Sequence, residues 1–233
     1  RESKQLGAIS GKMDPSATIE SDIPIPSISD DELDETQGSN SSSVQEKLKL
    51  AWINERGSPE ILQYEEAVVN RVKEELETQQ ELLEQLNEKK GTALILRIYQ
   101  MEVDRINFML KAYLRTRLKK IEKQVVHILS NDELVSRLSN SEVEFSARYL
   151  DLVEKNFKTA FLKHIPENYS SMEDKEMVVE PNLDEYVFCR ALSNVGNLSV
   201  GDNGDLTVNN GDIIVASYRP LKDLIRNGMI QLI

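Results

Sequence analysis

The fold of this chain is decided by residues 93 to 129, which read ALILRIYQMEVDRINFMLKAYLRTRLKKIEKQVVHIL. The stretch has no proline and no glycine, so nothing in it interrupts an α-helix. Its apolar residues, Tyr113 and Ile121 among them, spread over more than one helical face. The stretch therefore predicts one long central helix, Ala93 to about Leu129, with surfaces for its own neighbours and for another subunit.

The residues before this stretch predict two further helices. Helix 1 should begin after Ser43, because Glu46 three residues later completes a capping box, and it should carry Trp52 into the helical core. Helix 2 should begin with Ser58 as its N-cap and Pro59 at its first helical position.

Helix 2 should run to about Lys90, where Gly91 ends it and Thr92 can cap the next helix. Its apolar residues, including Leu76 and Leu83, recur at spacings of three, four or seven. This narrow stripe resembles a coiled-coil seam and predicts a helix packed along one side.

A fourth helix should open at a second capping box, in which Ser141 precedes Glu144. Pro166 should end it, and residues 166–180, rich in Glu, Ser and Met, read as a linker. Residues 44–165 are therefore predicted to form an all-helical domain.

From residue 181 to 233 the pattern changes to short apolar runs separated by turn signals, which predicts a small β-rich domain and an α+β fold class overall. Tyr186 and Phe188 lie in the first such run. Pro220 should start a short helix and Gly228 should end it, leaving an apolar terminus that should dock as a strand. In that strand, alternation places Ile230 and Leu232 on one side and Met229, Gln231 and Ile233 on the other.

Residues 1–43 contain nine acidic and three basic residues, which gives this segment a net charge of -6. Their low apolar content predicts a disordered acidic tail. Within it, residues 28–35 read either as part of a solvating tail or as a short helix for a basic groove of a partner.

Composition and motifs argue against catalysis. Cys189 is the lone cysteine and is expected to be a buried thiol, while His127 and His164 have no metal-type spacing and are expected to be structural. The phosphate-binding and nucleophile motifs GxxxxGK[ST], GxGxxG and GxSxG are missing from the sequence. We therefore expect no enzyme activity, no cofactor and no metal site.

The formal charge of -12 argues against a protein whose main surface grips nucleic acid. The local exception is the second half of the long helix, where a single acid, Glu122, lies among Lys111, Arg115, Arg117, Lys119, Lys120 and Lys123. Arg115 and Arg117 lie on different helix faces, so one can pair inside the domain while the other reaches a neighbour. This basic stretch favours pairing with the chain's own acids or with a sister subunit; contact with DNA phosphate stays the alternative.

Five ordered motifs between residues 44 and 233 resemble one family. The first is Leu50-Ala51-Trp52-Ile53-Asn54-Glu55, followed by Pro59 to Leu62. The second runs from Gln100 through Arg105, Tyr113 and Arg117 to Lys123. The remaining three are Leu162 to Pro166, Asn182 to Phe188, and the terminal Gln231-Leu232-Ile233. Together they are similar to the Sld-five family of GINS subunits of eukaryotic DNA replication.

The resemblance implies a non-enzymatic nuclear subunit of a four-membered complex, with a helical A domain before a small B domain. Its implied partners are the three sister Psf-type subunits, and the Mcm ring and the Cdc-forty-five protein in the assembled replicative helicase. The expected core and interface residues are Trp52, Leu76, Leu83, Arg105, Tyr113, Arg115, Arg117, Ile121, Glu122, Tyr186, Phe188, Ile230, Leu232 and Ile233. Two alternatives stay open, namely a coiled-coil adaptor outside replication and a DNA-contacting subunit that uses the basic stretch.

Overall fold

The computed structural model describes residues 43–87, 93–160, 178–199 and 205–233, all within one compact unit. The predictions for the acidic tail, for the helix stop at Gly91 and Thr92, and for Pro166 and most of the linker lie outside these residues. The described part has helices first and small sheets last, which confirms the α+β class.

The helical part contains five helices within the described residues: α1 (Val44–Gly57), α2 (Glu66–Asn87), α3 (Ala93–Leu129), α4 (Asp132–Val135) and α5 (Asn140–Ala160). The predicted bounds of α3 are confirmed, although its backbone leaves helical geometry at Gln124 (φ -124°, ψ 23°). The short α4 was not predicted.

The predicted cap of α1 is confirmed, because the Ser43 hydroxyl accepts a hydrogen bond from the backbone N–H of Glu46 at 3.3 Å. The predicted start of helix 2 is wrong. Ser58 instead follows the end of α1 in extended backbone (φ -82°, ψ 140°), and α2 begins only at Glu66. The cause is tertiary: the hydroxyl of Ser58 donates to the carbonyl of Glu60 at 2.8 Å, and Lys120 Nζ donates to that hydroxyl at 2.7 Å.

The predicted capping box of the fourth helix is also wrong by two residues. The backbone N–H of Ser139 donates to Glu142 Oε2 at 2.9 Å, and the N–H of Glu142 donates to Ser139 Oγ at 3.3 Å. These reciprocal bonds form a capping box at Ser139 and Glu142, so α5 opens one residue before Ser141.

Two apolar clusters hold the helical part together. The larger joins α1, α2 and the first half of α3, and its buried members include Leu76, Leu83 and Tyr113. The smaller forms around Ile121 and includes Ile61, Ile128 and Leu134. The long central helix therefore contributes to both clusters, as its broad apolar surface predicted.

The β part contains β1 (Tyr186–Ala191), β2 (Gly196–Ser199), β3 (Asp205–Val208), β4 (Ile213–Ser217), α6 (Tyr218–Arg226) and β5 (Ile230–Leu232). The described strands form an antiparallel sheet in the order β4-β1-β5 and a separate β2-β3 pair. Helix α6 begins two residues before Pro220, and Gly228 follows it with φ +69°, a left-handed conformation that glycine adopts without strain.

The apolar C-terminus docks as predicted. Strand β5 pairs antiparallel with β1, with Leu232 opposite Cys189 and Ile230 opposite Ala191. Ile230 and Leu232 are buried and Ile233 is exposed, so the predicted alternation is confirmed. The terminal strand thus supplies two side chains to the β core.

Candidate assembly site

A buried ionic cluster fixes the helices around Arg117, whose side chain is fully buried. Its Nε and Nη2 donate to Glu142 at 2.8 and 3.0 Å, and its Nη1 donates to Glu55 Oε2 at 3.0 Å. Burial alone would lower the pKa of Arg117, but the hydrogen bond to Glu142 and the charge of Glu55 raise it above its ordinary value. The guanidinium therefore stays charged and ties α1, α3 and α5 together.

Lys120, one turn along, extends this cluster toward the loop between α1 and α2. Its Nζ donates to Glu55 Oε1 and to the carbonyl of Glu60, both at 2.8 Å. Burial lowers the pKa of Lys120, while the carboxylate of Glu55 opposes that shift. These bonds tie residues 58–60 to α3, and the carboxylate of Glu60 binds other partners.

Those partners connect the helical part to the β part. The buried carboxylate of Glu60 accepts hydrogen bonds from Arg137 Nη1 at 3.1 Å, from the hydroxyl of Tyr218 at 3.1 Å and from Lys222 Nζ at 2.9 Å. Arg137 belongs to the helical part, whereas Tyr218 and Lys222 lie on α6. We call these four residues the Glu60 joint.

A second contact between the two parts lies at the end of α1. Asn54 Oδ1 accepts a hydrogen bond from the backbone N–H of Leu232 at 2.9 Å. A Cβ atom at Gly57 would lie 3.0 Å from the Cβ of Leu232, so glycine permits this close approach. The small β part therefore packs against the helical part.

One face of α3 stays uncovered within the described residues. Leu94, Ile98, Met101 and Phe108 are 58 to 75% exposed. With the exposed Arg105 between Met101 and Phe108, they recur at alternating spacings of four and three, the pattern of a coiled-coil seam. We call the exposed helix face that starts at Leu94 and follows this spacing along α3 the α3 seam.

Trp52 lies between this seam and the larger apolar cluster, against which it packs. Its ring meets Phe108 edge to face with the centroids 6.1 Å apart, and Arg56 lies 5.8 Å from the Trp52 ring centroid. Trp52 is only partly buried, so the prediction that it enters the helical core is correct only in part. The reason is that its contact partner Phe108 is itself on the exposed face.

The two arginines of the basic stretch separate as predicted. Arg117 is buried among acids, whereas Arg115 is exposed and has no ion pair with a described residue. Arg105 and Glu122 are exposed as well, and the ion pair of Arg105 among the described residues is with Glu102 at 3.7 Å. The predicted site residues on α3 thus divide into buried Tyr113, Arg117 and Ile121 and exposed Arg105, Arg115 and Glu122.

Within the described residues, the outer face of the three-stranded sheet is a second uncovered apolar surface. Tyr186 and Phe188 are 64 and 62% exposed, and Ile213 and Val215 on the neighbouring strand are at least half exposed. The register places Phe188 opposite Val215. Tyr186 and Phe188 therefore do not belong to the β core. Ile233, which follows β5 on the other side of β1, is also exposed.

The acids and Arg137 that organise these clusters were not among the predicted site residues. Glu55 and Glu60 do lie within the first resemblance motif and its extension, which is the signal that could have identified them. Glu142 and Arg137 have local partners in Ser139 and Glu133, but the sequence does not show their distant partners Arg117 and Glu60, which lie 25 and 77 positions away.

Outside these clusters, the features that matter in the described residues are those of a reactive thiol, a metal site and a membrane span. Cys189 is buried, as predicted, and burial raises the pKa of its thiol to about 11. Within residues 43–87, 93–160, 178–199 and 205–233, no group of three His, Cys, Asp or Glu side chains could hold a metal ion. In the same ranges, no helix is long and apolar enough to cross a membrane.

Comparison with known proteins decides the family. Residues 63–161 match the GINS complex protein helical bundle domain, and residues 181–233 match the DNA replication complex GINS protein SLD5 C-terminus. The chain belongs to the Sld5 family. The predicted resemblance is confirmed, and both matched segments lie within the predicted helical and β domains.

Relatives from a plant, a fungus and an animal align with most of this chain. It is 40% identical to the DNA replication complex GINS protein SLD5 of Arabidopsis thaliana, over 83% of this chain and 92% of the relative. It is 32% identical to the Schizosaccharomyces pombe protein of that name (81% and 91% covered) and 33% identical to the Homo sapiens one (81% and 88%).

Proposed function

We propose that this chain is the Sld5-type structural subunit of a heterotetrameric GINS complex that acts in DNA replication. The observation that carries the proposal is the uncovered α3 seam on a chain whose relatives are named as GINS proteins of the DNA replication complex. Its helices hold sister subunits, and its role is assembly rather than catalysis.

The seam has the form of a helix-docking surface. Four large apolar side chains recur with heptad spacing over about four turns of α3, and each is more than half exposed. Contiguous apolar surface of this kind marks a contact site in soluble proteins. The outer sheet face around Tyr186 and Phe188 is a second such surface, so two neighbours can be held at once.

The buried polar groups support a role without catalysis. Arg117, Lys120 and Arg137 are bonded to Glu55, Glu60 and Glu142 in fixed pairs that join helices and hold the β part. Such groups organise a scaffold and leave little free acid or base at the clusters described.

The partners we propose are the three sister Psf-type subunits and, in the assembled replicative helicase, the Mcm ring and the Cdc-forty-five protein. The proposed location is the nucleus. Family membership supports both, since the relatives are named for the DNA replication complex. The matches give no support to the adaptor outside replication or to the DNA-contacting subunit.

The test is co-expression with the three sister subunits, followed by mass measurement during size-exclusion chromatography. Ile98→Glu combined with Met101→Glu should prevent formation of the four-subunit particle, because carboxylates would be buried in an apolar contact. Leu152→Glu on α5 is the control, since Leu152 is similarly exposed but lies outside the seam. A four-subunit particle formed at full yield by the double variant would refute the proposed docking surface.

A further inference from the structure

The α3 seam does not end at Phe108 but changes its chemistry there. Continuing the same spacing of four and three leads from Phe108 to Ala112, Arg115, Lys119 and Glu122. Arg115, Lys119 and Glu122 are exposed, and Ala112 is half-buried. One helix face is therefore apolar in its first half and mainly cationic in its second.

The cations in the second half lack acidic partners among the described residues. Arg117 and Lys120, on the inner side of α3, are paired with Glu55 and Glu142. Arg115 and Lys119, on the outer side, make no ion pair with any residue that the structure describes. Lys123 and Lys111 flank them and are also exposed, so the outer cations form a row about three turns long.

We infer that a single helix of one sister subunit covers the whole α3 seam, with apolar residues against Leu94 to Phe108 and carboxylates against Arg115 and Lys119. This inference rests on the proposed function and adds the chemistry and the direction of the partner helix. The apolar half supplies affinity, and the cationic half fixes which way the partner helix runs and excludes a reversed alignment.

Continuity of the face favours a helix over the two other anionic occupants. A nucleic acid would contact the cations but leave the adjoining apolar half exposed to water, and the chain's charge of -12 would repel it. The chain's own acidic residues 1–42 could neutralise the cations, but they would likewise not account for the heptad spacing of Leu94, Ile98 and Met101.

The experiment uses the co-expressed four-subunit complex. Arg115→Glu combined with Lys119→Glu should raise the dissociation constant for the sister subunits at least about tenfold, because carboxylates would then face carboxylates. Lys155→Glu combined with Lys158→Glu, an equal charge change on exposed residues of α5, should leave it unchanged. High salt should weaken the wild-type complex more than the reversed variant.

A photo-crosslinking residue at position 98 and another at position 119 test the single-helix claim directly. We expect both to attach to one sister subunit, at positions about 21 residues apart on one helix, with Asp or Glu near the second site. Three results would each overturn the single-helix inference. The two positions could attach to different subunits, or position 119 could attach to residues 1–42. An oligonucleotide could also bind only the wild type while the charge-reversed variant still assembles normally. Normal assembly of the Arg115/Lys119 variant together with failure of the Ile98/Met101 variant would refute this inference alone. Normal assembly of both would refute the α3 seam as a docking surface, whereas failure of the wild-type chain to form a four-subunit particle with the sister subunits would refute the proposed function.

Discussion

The hydroxyl of Tyr218 donates a hydrogen bond to Glu60 Oε1 at 3.1 Å across 158 positions of sequence. The bond crosses from the β part to the loop after α1. Burial and the negative charge of Glu60 raise the pKa of Tyr218, so its hydroxyl remains protonated and available as a donor. The large apolar clusters are each confined to one part of the chain. Polar bonds of this kind therefore provide much of the contact between the helical part and the β part.

The first prediction follows from the Glu60 joint. Glu60→Gln should destabilise the chain by about 3 to 5 kcal/mol, because Arg137 and Lys222 lose their shared carboxylate. Tyr218→Phe should cost only about 0.5 to 1.5 kcal/mol, since it removes one hydrogen bond and keeps the ring. Denaturant unfolding measures both, with Tyr186→Phe as the exposed control. An effect of Glu60→Gln below that of Tyr218→Phe would contradict the central position of Glu60.

The second prediction compares two arginines on one helix. Arg117→Met should cost about 3 to 5 kcal/mol, because Glu55 and Glu142 would be left buried without their cation. Arg115→Met should change the unfolding free energy of the free chain by no more than about 0.5 kcal/mol, since Arg115 is exposed. Equal effects of the two substitutions would show that the burial of Arg117 does not decide its contribution.

The separation of these two arginines shows what the sequence could predict. A spacing of two residues places them on different helix faces, and no structure was needed to see it. The same holds for α3 and for the alternation of Ile230 and Leu232, because local periodicity determines both. The positions of these elements followed from short-range patterns alone.

The start of α2 was beyond such reasoning. Ser58 looks like a helix cap, and the sequence does not show that Lys120, 62 positions away, donates to its hydroxyl or that Arg137, 77 positions away, binds Glu60. These tertiary bonds overrode a local capping signal of about 1 kcal/mol. The start of α5, in contrast, follows a local capping box, Ser139 and Glu142, which overlaps the predicted pair Ser141 and Glu144.

The third prediction concerns pH. The hydrogen bond from Arg137 holds the pKa of Glu133 below its ordinary value, so the unfolded chain binds a proton there more readily than the folded one. The stability that this pair contributes is complete above the unfolded pKa and is lost as pH falls through the lower, folded pKa. Glu133→Gln should thus be less stable than wild type at neutral pH, and the difference should shrink in acid. A difference in unfolding free energy that stays constant or grows from pH 7 to pH 3 would contradict this assignment.

The fourth prediction tests the docked C-terminus. Leu232 is fully buried in the β core, and its backbone N–H is bonded to Asn54, whereas the next residue, Ile233, is exposed. Leu232→Ala should cost about 2 to 5 kcal/mol through lost burial and the cavity left beside Gly57, a large share of the stability of so small a β core. Ile233→Ala, the matched control one residue later, should cost under about 1 kcal/mol in the free chain. Thermal unfolding of both variants measures the contrast, and co-expression with the sister subunits shows whether the loss also lowers the yield of complex. If the Leu232→Ala variant unfolds at the same temperature as the wild type, the terminal strand does not hold the β part against the end of α1.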